Sequence, residues 1–255
     1  MDRFKGLNIG MQSWTLRNFQ LPDMVRIVKE LGLNNLELGK LGVAGIGPED
    51  PQKAMESVQY CRDQGLEINC LSLGFPDDST EDDLRQRVEL AQKLGMKILV
   101  GPPALSLLDT LDGLAREHDI LIALHNHGPG GELSDIPTIE KILRPYERIG
   151  LCVDTGHYLR LPLDPLEVLK AFRSKIYAIH LRDMDPDQDP IKGDGSKYVE
   201  HVVGEGPLNL DGFLRLMLDW KYEGTIGLEY KPNADNPVPD MQRALANIEA
   251  ALAKI

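Results

Sequence analysis

Four short apolar runs in the second half of the chain each end in side chains able to bind a divalent cation. They read Ile-Ala-Leu-His125-Asn126-His127, Leu-Cys-Val-Asp154-Thr-Gly-His157, Ala-Ile-His180-Leu-Arg182-Asp183 and Gly-Leu-Glu229-Tyr. A single His or carboxylate at such a place is ordinarily a hydrogen-bonded structural group. Four in succession are different, because imidazoles and carboxylates gathered away from water need a compensating charge. One divalent ion held by His125, Asp154, His180 and Glu229 supplies it. Mixed nitrogen and oxygen donors suit manganese, cobalt, iron or zinc better than calcium or magnesium.

The elements that must carry these groups follow from hydrophobic period. Across 255 residues, short β-branched and apolar runs alternate with longer segments of helical period, the pattern of βαβ units around a parallel sheet. Strands are expected near Leu7–Gln12, Asn35–Leu38, Leu66–Leu73, Met96–Gly101, Ile120–His125, Ile149–Asp154, Ile176–Leu181 and Thr225–Tyr230. Most are apolar throughout, as strands buried on both faces must be. Met24, Ile27, Val28 and Leu31 form a helical stripe behind Pro22, and Asp164 before Pro165 reads as a helix cap. Met241, Leu245, Ile248 and Leu252 mark the core face of the last helix. Gly32, Gly65 and Gly95 stand where helices must stop before strands. Eight such pairs over residues 1–255 predict one α/β domain, a single (β/α)8 TIM barrel, whose functional groups belong at the C-terminal strand ends.

Bulk properties narrow the partners. A net charge of −12 opposes nucleic acid binding, since a polyanion would be repelled. No run of apolar residues suggests a membrane span or leader, and the expected location is the cytoplasm. Cys61, Cys70 and Cys152 are odd in number and irregular in spacing, so they read as reduced packing residues. The glycines of Gly128–Pro137 lack phosphate-cradling spacing, so no nucleotide site is expected. Arg182–Pro207 is too long for an ordinary strand-to-helix loop and is expected to be a mobile cover; Asp185, Asp187 and Asp189 within it read as a solvated turn.

The runs HNHG, DTGH, HLRD and GLEY, the tripeptide GEG at Gly204–Gly206, and the early GMQSWTLR and LELG resemble the sugar phosphate isomerase/epimerase family of xylose isomerase-like TIM barrels. The likeness extends over essentially the whole chain. It implies one manganese or cobalt ion held by Glu, Asp, His and Glu from strands five to eight, the last three falling on Asp154, His180 and Glu229. The first departs from the pattern: where many members read Glu-Asn-His, this chain reads His125-Asn126-His127. His125 is therefore expected as ligand, base or both, with His127 pointing to the same side. The resemblance also implies that His157 meets substrate hydroxyls, the alternative being a turn residue. Arg182 and Asp183 are either substrate contacts or a rim ion pair. Glu37 orients a hydroxyl or forms a structural salt bridge, and Trp14 walls a sugar face or simply packs. His118 and His201 are assigned to surface or loop.

The family implies proton transfer on a keto-sugar or sugar phosphate through a metal-stabilised enediolate, with two glutamates exchanging the proton on opposite faces. Isomerisation or epimerisation is the leading expectation. Here only Glu229 of that pair remains, which favours its rival: a lyase or dehydratase of a keto-polyol or keto-glycoside, as in inosose dehydratase-like members. An abasic-site endonuclease would need three metals and a basic groove. A non-catalytic sugar-binding barrel would bind no metal.

Overall fold

A computed structural model describes residues 3–40, 42–186 and 198–255. Eight parallel strands close into a barrel: β1 (Asn8–Gln12), β2 (Leu36–Gly39), β3 (Cys70–Ser72), β4 (Ile98–Gly101), β5 (Leu121–His125), β6 (Ile149–Asp154), β7 (Ile176–Leu181) and β10 (Thr225–Leu228), with β10 between β7 and β1. Every expected strand lies where the apolar runs placed it. Between β7 and β10 a small antiparallel pair, β8 (Asp183–Met184) and β9 (Glu200–His201), stands apart from the barrel.

The helices outside the barrel bury one stripe each. In α1 (Leu21–Glu30) Met24, Ile27 and Val28 face the strands, as does Leu31 at its end. Gly32, Gly65 and Gly95 all take positive φ, so the chain turns out of each helix in a conformation that strains other residues. Asp164 caps α7 (Pro165–Ala171) by accepting the Leu166 N–H at 2.8 Å. Met241, Leu245, Ile248 and Leu252 are buried along α9 (Val238–Leu252). The main core fills the layer between helices and strands, while Cys70, Val100, Ala123, Cys152 and Ala178 form a second cluster. All three cysteines are buried free thiols. Among the described residues no helix is long and apolar enough to cross a membrane.

Register sets the level of the strand ends. His125 pairs with Cys152, Asp154 with His180, and His180 with Gly227. A register shift at Leu151/Cys152, where β7 carries one extra residue, brings Asp154 level with His180. Three neighbouring strands thus present their polar ends at nearly one height.

One short helix was not foreseen. DTGH is not a loop: α6 (Thr155–Leu159) starts directly on β6, with Asp154 as its cap, accepting the His157 N–H at 2.9 Å. The run is too short for a hydrophobic period to show.

Candidate metal centre and active site

His125, Asp154, His180 and Glu229 each direct one donor atom into a group whose members lie within 4.8 Å of one another. Asp154, His180 and Glu229 are buried, and His125 is half-buried. Asp154 is fixed on three sides. Its main chain is clasped by the Asn126 side-chain amide, which donates to its carbonyl at 3.0 Å and accepts its N–H at 2.8 Å. Its carboxylate caps α6 and accepts from Arg182 Nη1 at 3.1 Å. The middle residue of HNH therefore ties β5 to β6 while its neighbours face the mouth.

His180 is oriented from across the barrel. Its Nε2 lies 3.1 Å from both carboxylate oxygens of Glu37 on β2. Glu37 is held in turn by Gln12 Nε2 at 3.4 Å, Cys70 Sγ at 3.2 Å and the Ser72 hydroxyl. A carboxylate on one ring nitrogen fixes the tautomer and frees the other to bind a metal. That other nitrogen, the buried Nδ1, lies 3.0 Å from Glu229 Oε2 but makes no hydrogen bond.

The surrounding charges show a centre that draws positive charge. Glu37, Asp154, Glu200 and Glu229 surround one guanidinium, Arg182, and one imidazole, His180. Burial opposes charge on His180, yet Cys152, Glu37 and Glu229 outweigh it and raise the ring well above the usual imidazole range. Burial likewise opposes ionisation of Glu229, but Arg182 and His180 hold its carboxyl well below the ordinary range. For Asp154 burial is outweighed by His157 and Arg182, with the same result. A site that keeps its carboxylates ionised and leaves a buried imidazole nitrogen without a hydrogen bond has the donor chemistry to hold one divalent cation.

The family model of the xylose isomerase-like TIM barrel matches residues 25–251. The chain belongs to that family. Inosose dehydratase of Clostridium botulinum (strain Eklund 17B / Type B) is 25% identical over 144 residues, 51% of this chain and 48% of that protein. Mannonate dehydratase of Oceanobacillus iheyensis is 29% identical over 125 residues, 44% of this chain and 34% of the other. The matches span about half the length of the inosose dehydratases and less of the mannonate enzyme. Among solved structures, a D-tagatose 3-epimerase-like protein superposes with a TM-score of 0.76 at 18% identity, covering 97% of this chain and 98% of the other. The probable 3-DHS dehydratase AsbF of Bacillus anthracis gives 0.76 at 15% identity, covering 94% and 98%. These structural likenesses carry the fold.

In this xylose isomerase-like barrel a cavity of about 620 Å³ opens over the centre. His125, His127, His157, His180, Glu229 and Trp14 line it, so most of the residues singled out by sequence meet there. The imidazoles form one wall: His125 lies 5.0 Å from His127, 5.8 Å from His157 and 4.9 Å from His180, ring centre to ring centre. Burial pushes His157 down to about 3, aided by Arg182, so its ring is neutral and offers one donor and one acceptor. Trp14 sits in a 3-10 turn (Ser13–Leu16) with the Arg17 guanidinium 5.2 Å from its ring.

Three expectations change. Glu37, expected at a hydroxyl, is 1% exposed, absent from the cavity wall and bound to His180, so it takes the structural alternative. Arg182 is neither at the rim nor paired with Asp183. Its side chain is wholly buried, with Nη1 3.1 Å from both Asp154 and Glu229 and its other donors on Glu200 at 2.9 and 3.0 Å. Asp183 instead accepts the N–H groups of Gly204, Gly206 and Leu208 at 3.0, 3.0 and 2.9 Å. This explains why HLRD and GEG occur together: a Cβ at Gly206 would lie 2.4 Å from the Asp183 carboxylate, and Gly204 has positive φ. The described ends of Arg182–Pro207 are thus pinned, and only 187–197, with Asp187 and Asp189, lie outside the described residues. Asp185 pairs with His201 at 2.8 Å, and His118 is half-buried on the outer helical layer with Nδ1 3.1 Å from Gln92.

Sequence reasoning missed Gln12, Ser72 and Glu200, and read Cys70 as packing alone. Their signal is weak, because each acts by touching a residue far away in the chain.

Proposed function

We propose that this chain is a divalent metal-dependent enzyme acting on a sugar or keto-polyol, and that its reaction is elimination of water beside a carbonyl rather than epimerisation. The observation that carries the order of these two readings is the composition of the cavity wall. Glu229 is the one acidic side chain among the described residues that line it, and it faces imidazoles, not a second carboxylate. Inverting a carbon needs a base on each face of the planar intermediate. Elimination needs one base and a donor for the departing hydroxyl.

Glu229 takes the proton from the carbon beside the carbonyl. The electron pair forms the carbon–carbon double bond as the bond to the β-hydroxyl breaks, and the hydroxyl leaves as water with a proton supplied by solvent in the cavity, because burial keeps the His127 and His157 rings neutral and leaves them to orient hydroxyls. The proton on Glu229 is then lost to solvent, which restores the carboxylate. A divalent ion held by His125, Asp154, His180 and Glu229, manganese or cobalt by family and zinc or iron by donor type, would polarise the carbonyl and offset the charge that develops on it. Trp14 offers an apolar face to the carbon skeleton. The dehydratase names of the sequence relatives support the same order.

The test is proton NMR in deuterated water with a panel of inososes, keto-sugars and aldonic acids and added Mn, Co or Zn. A dehydrated product supports the proposal. A deuterated epimer without elimination overturns the reaction assigned, and protein that carries no metal after chelator-free purification and gains nothing from added metal overturns the metal dependence.

A further inference from the structure

The cavity has a second polar region on the β3/β4 side of the mouth, away from the histidine wall. There the chain of Ser72–Pro76 and Val100–Pro102 is backed by Arg87 from α3 (Glu81–Lys93). Arg87 is 7% exposed, lines the cavity, and donates one hydrogen bond, from Nη1 to the Leu73 carbonyl at 3.2 Å. Its Nε is buried and makes no hydrogen bond. Among the described residues no carboxylate pairs with it: Asp83, one turn earlier, is engaged by Thr80.

A buried guanidinium without a counterion is costly, so native proteins rarely keep one without an anion to meet it. Arg182 shows the ordinary solution in the same molecule, with three carboxylates around it. Arg87 has none. Lys40 and Lys231 also line the cavity, but Lys40 is paired with Glu49 at 3.4 Å, so what sets Arg87 apart is its buried Nε without a partner.

We infer that the ligand of this cavity carries an oxyanion, a carboxylate or a phosphate ester, which Arg87 receives at the β3/β4 side of the mouth. The inference rests on the reading of the cavity as a sugar or keto-polyol site and narrows its substrate class to acidic members. Nε belongs to one of the two-donor edges of the guanidinium, which match a carboxylate or phosphate oxygen pair.

The test uses metal-free protein, so that binding is measured apart from any chemistry at Glu229. D-gluconate, D-sorbitol 6-phosphate and neutral D-sorbitol are titrated calorimetrically at fixed ionic strength. At least one of the two anions is expected to bind about tenfold or more tightly than sorbitol, and which one does so identifies the oxyanion. Arg87→Gln should lose that preference without changing sorbitol binding, and Arg87→Lys, which keeps the charge, should retain part of it. Circular dichroism confirms that each variant is folded; if Arg87→Gln is not, Arg87→Lys decides, and full retention of the preference in it overturns the two-donor edge. Equal binding of the three probes, binding of none, or a preference that survives in Arg87→Gln overturns the inference. Failure of dehydration or epimerisation assays leaves it standing, so the two proposals fail separately.

Discussion

Along one half of the barrel mouth, β5, β6 and β7 end in or carry His125, Asp154 and His180, and Glu229 follows β10; the other half, β1 to β4, brings Gln12, Glu37, Ser72 and Gly101. The first half holds the donors that could bind a cation. The second half holds none of them, yet it fixes how they point: Gln12 and Ser72 hold Glu37, and Glu37 holds His180. The division of labour means that the donors are not self-orienting. A histidine ligand is set by the group on its other nitrogen, and here that group comes from three strands away around the closed sheet.

Breaking the donor half should have the largest effect. Glu229→Gln is expected to reduce exchange of the substrate's acidic C–H with solvent deuterium by about 10²–10⁴-fold, the usual worth of a general base. Full exchange in that variant would transfer the role of base to His125 or His127. Next comes the charge beneath both halves. Arg182→Met leaves Asp154, Glu200 and Glu229 buried without their cation and should cost about 3–5 kcal/mol in urea unfolding. A loss under about 1 kcal/mol would mean that water already reaches these carboxylates.

The orienting half is then sharpened by Glu37→Gln, which keeps shape and burial. Manganese affinity should fall about 10–100-fold, with the fold intact by circular dichroism. Unchanged affinity would show that His180 is positioned by packing alone. Far from the mouth, Asp164→Ala removes only the cap of α7 and should cost about 1 kcal/mol, read as a small fall in melting temperature with metal affinity unchanged.

The same contrast marks what could be read from the sequence. His125, Asp154, His180 and Glu229 were legible because each stands at or beside the end of an apolar strand, and the eight-fold alternation fixes which end of every strand faces the site. The helix stops at Gly32, Gly65 and Gly95 and the Asp164 cap were legible because they act within a few residues of themselves. Glu37 was singled out with a hydroxyl contact and a structural salt bridge both left open, since nothing local shows that β2 and β7 meet across the barrel. Arg182 lies two residues beyond a predicted ligand, where strand alternation places it on the same face, but its burial depends on Glu200, which returns on β9 from a long insertion. Arg87 was hidden most completely: on α3 it reads as one more charged helix residue, and only the packed structure shows that no carboxylate among the described residues is in contact with it.

Because the Asn126 amide clasps Asp154 directly, β5 and β6 are fastened at the mouth by a bond that bypasses the connection between them. The turn around Gly130, where φ is positive and the residue is exposed, is thereby relieved of holding the two strand ends together. It is the natural point at which foreign chain can be spliced into this barrel. A short Gly/Ser insertion after Gly130 should lengthen the excursion at a cost near 0.6 kcal/mol per doubling, with manganese affinity retained. The same insertion in a protein carrying Asn126→Ala should cost clearly more, because beyond the His125/Cys152 pairing the two strand ends would lack their clasp, and equal costs in the two backgrounds would show that the clasp is not what makes the site permissive.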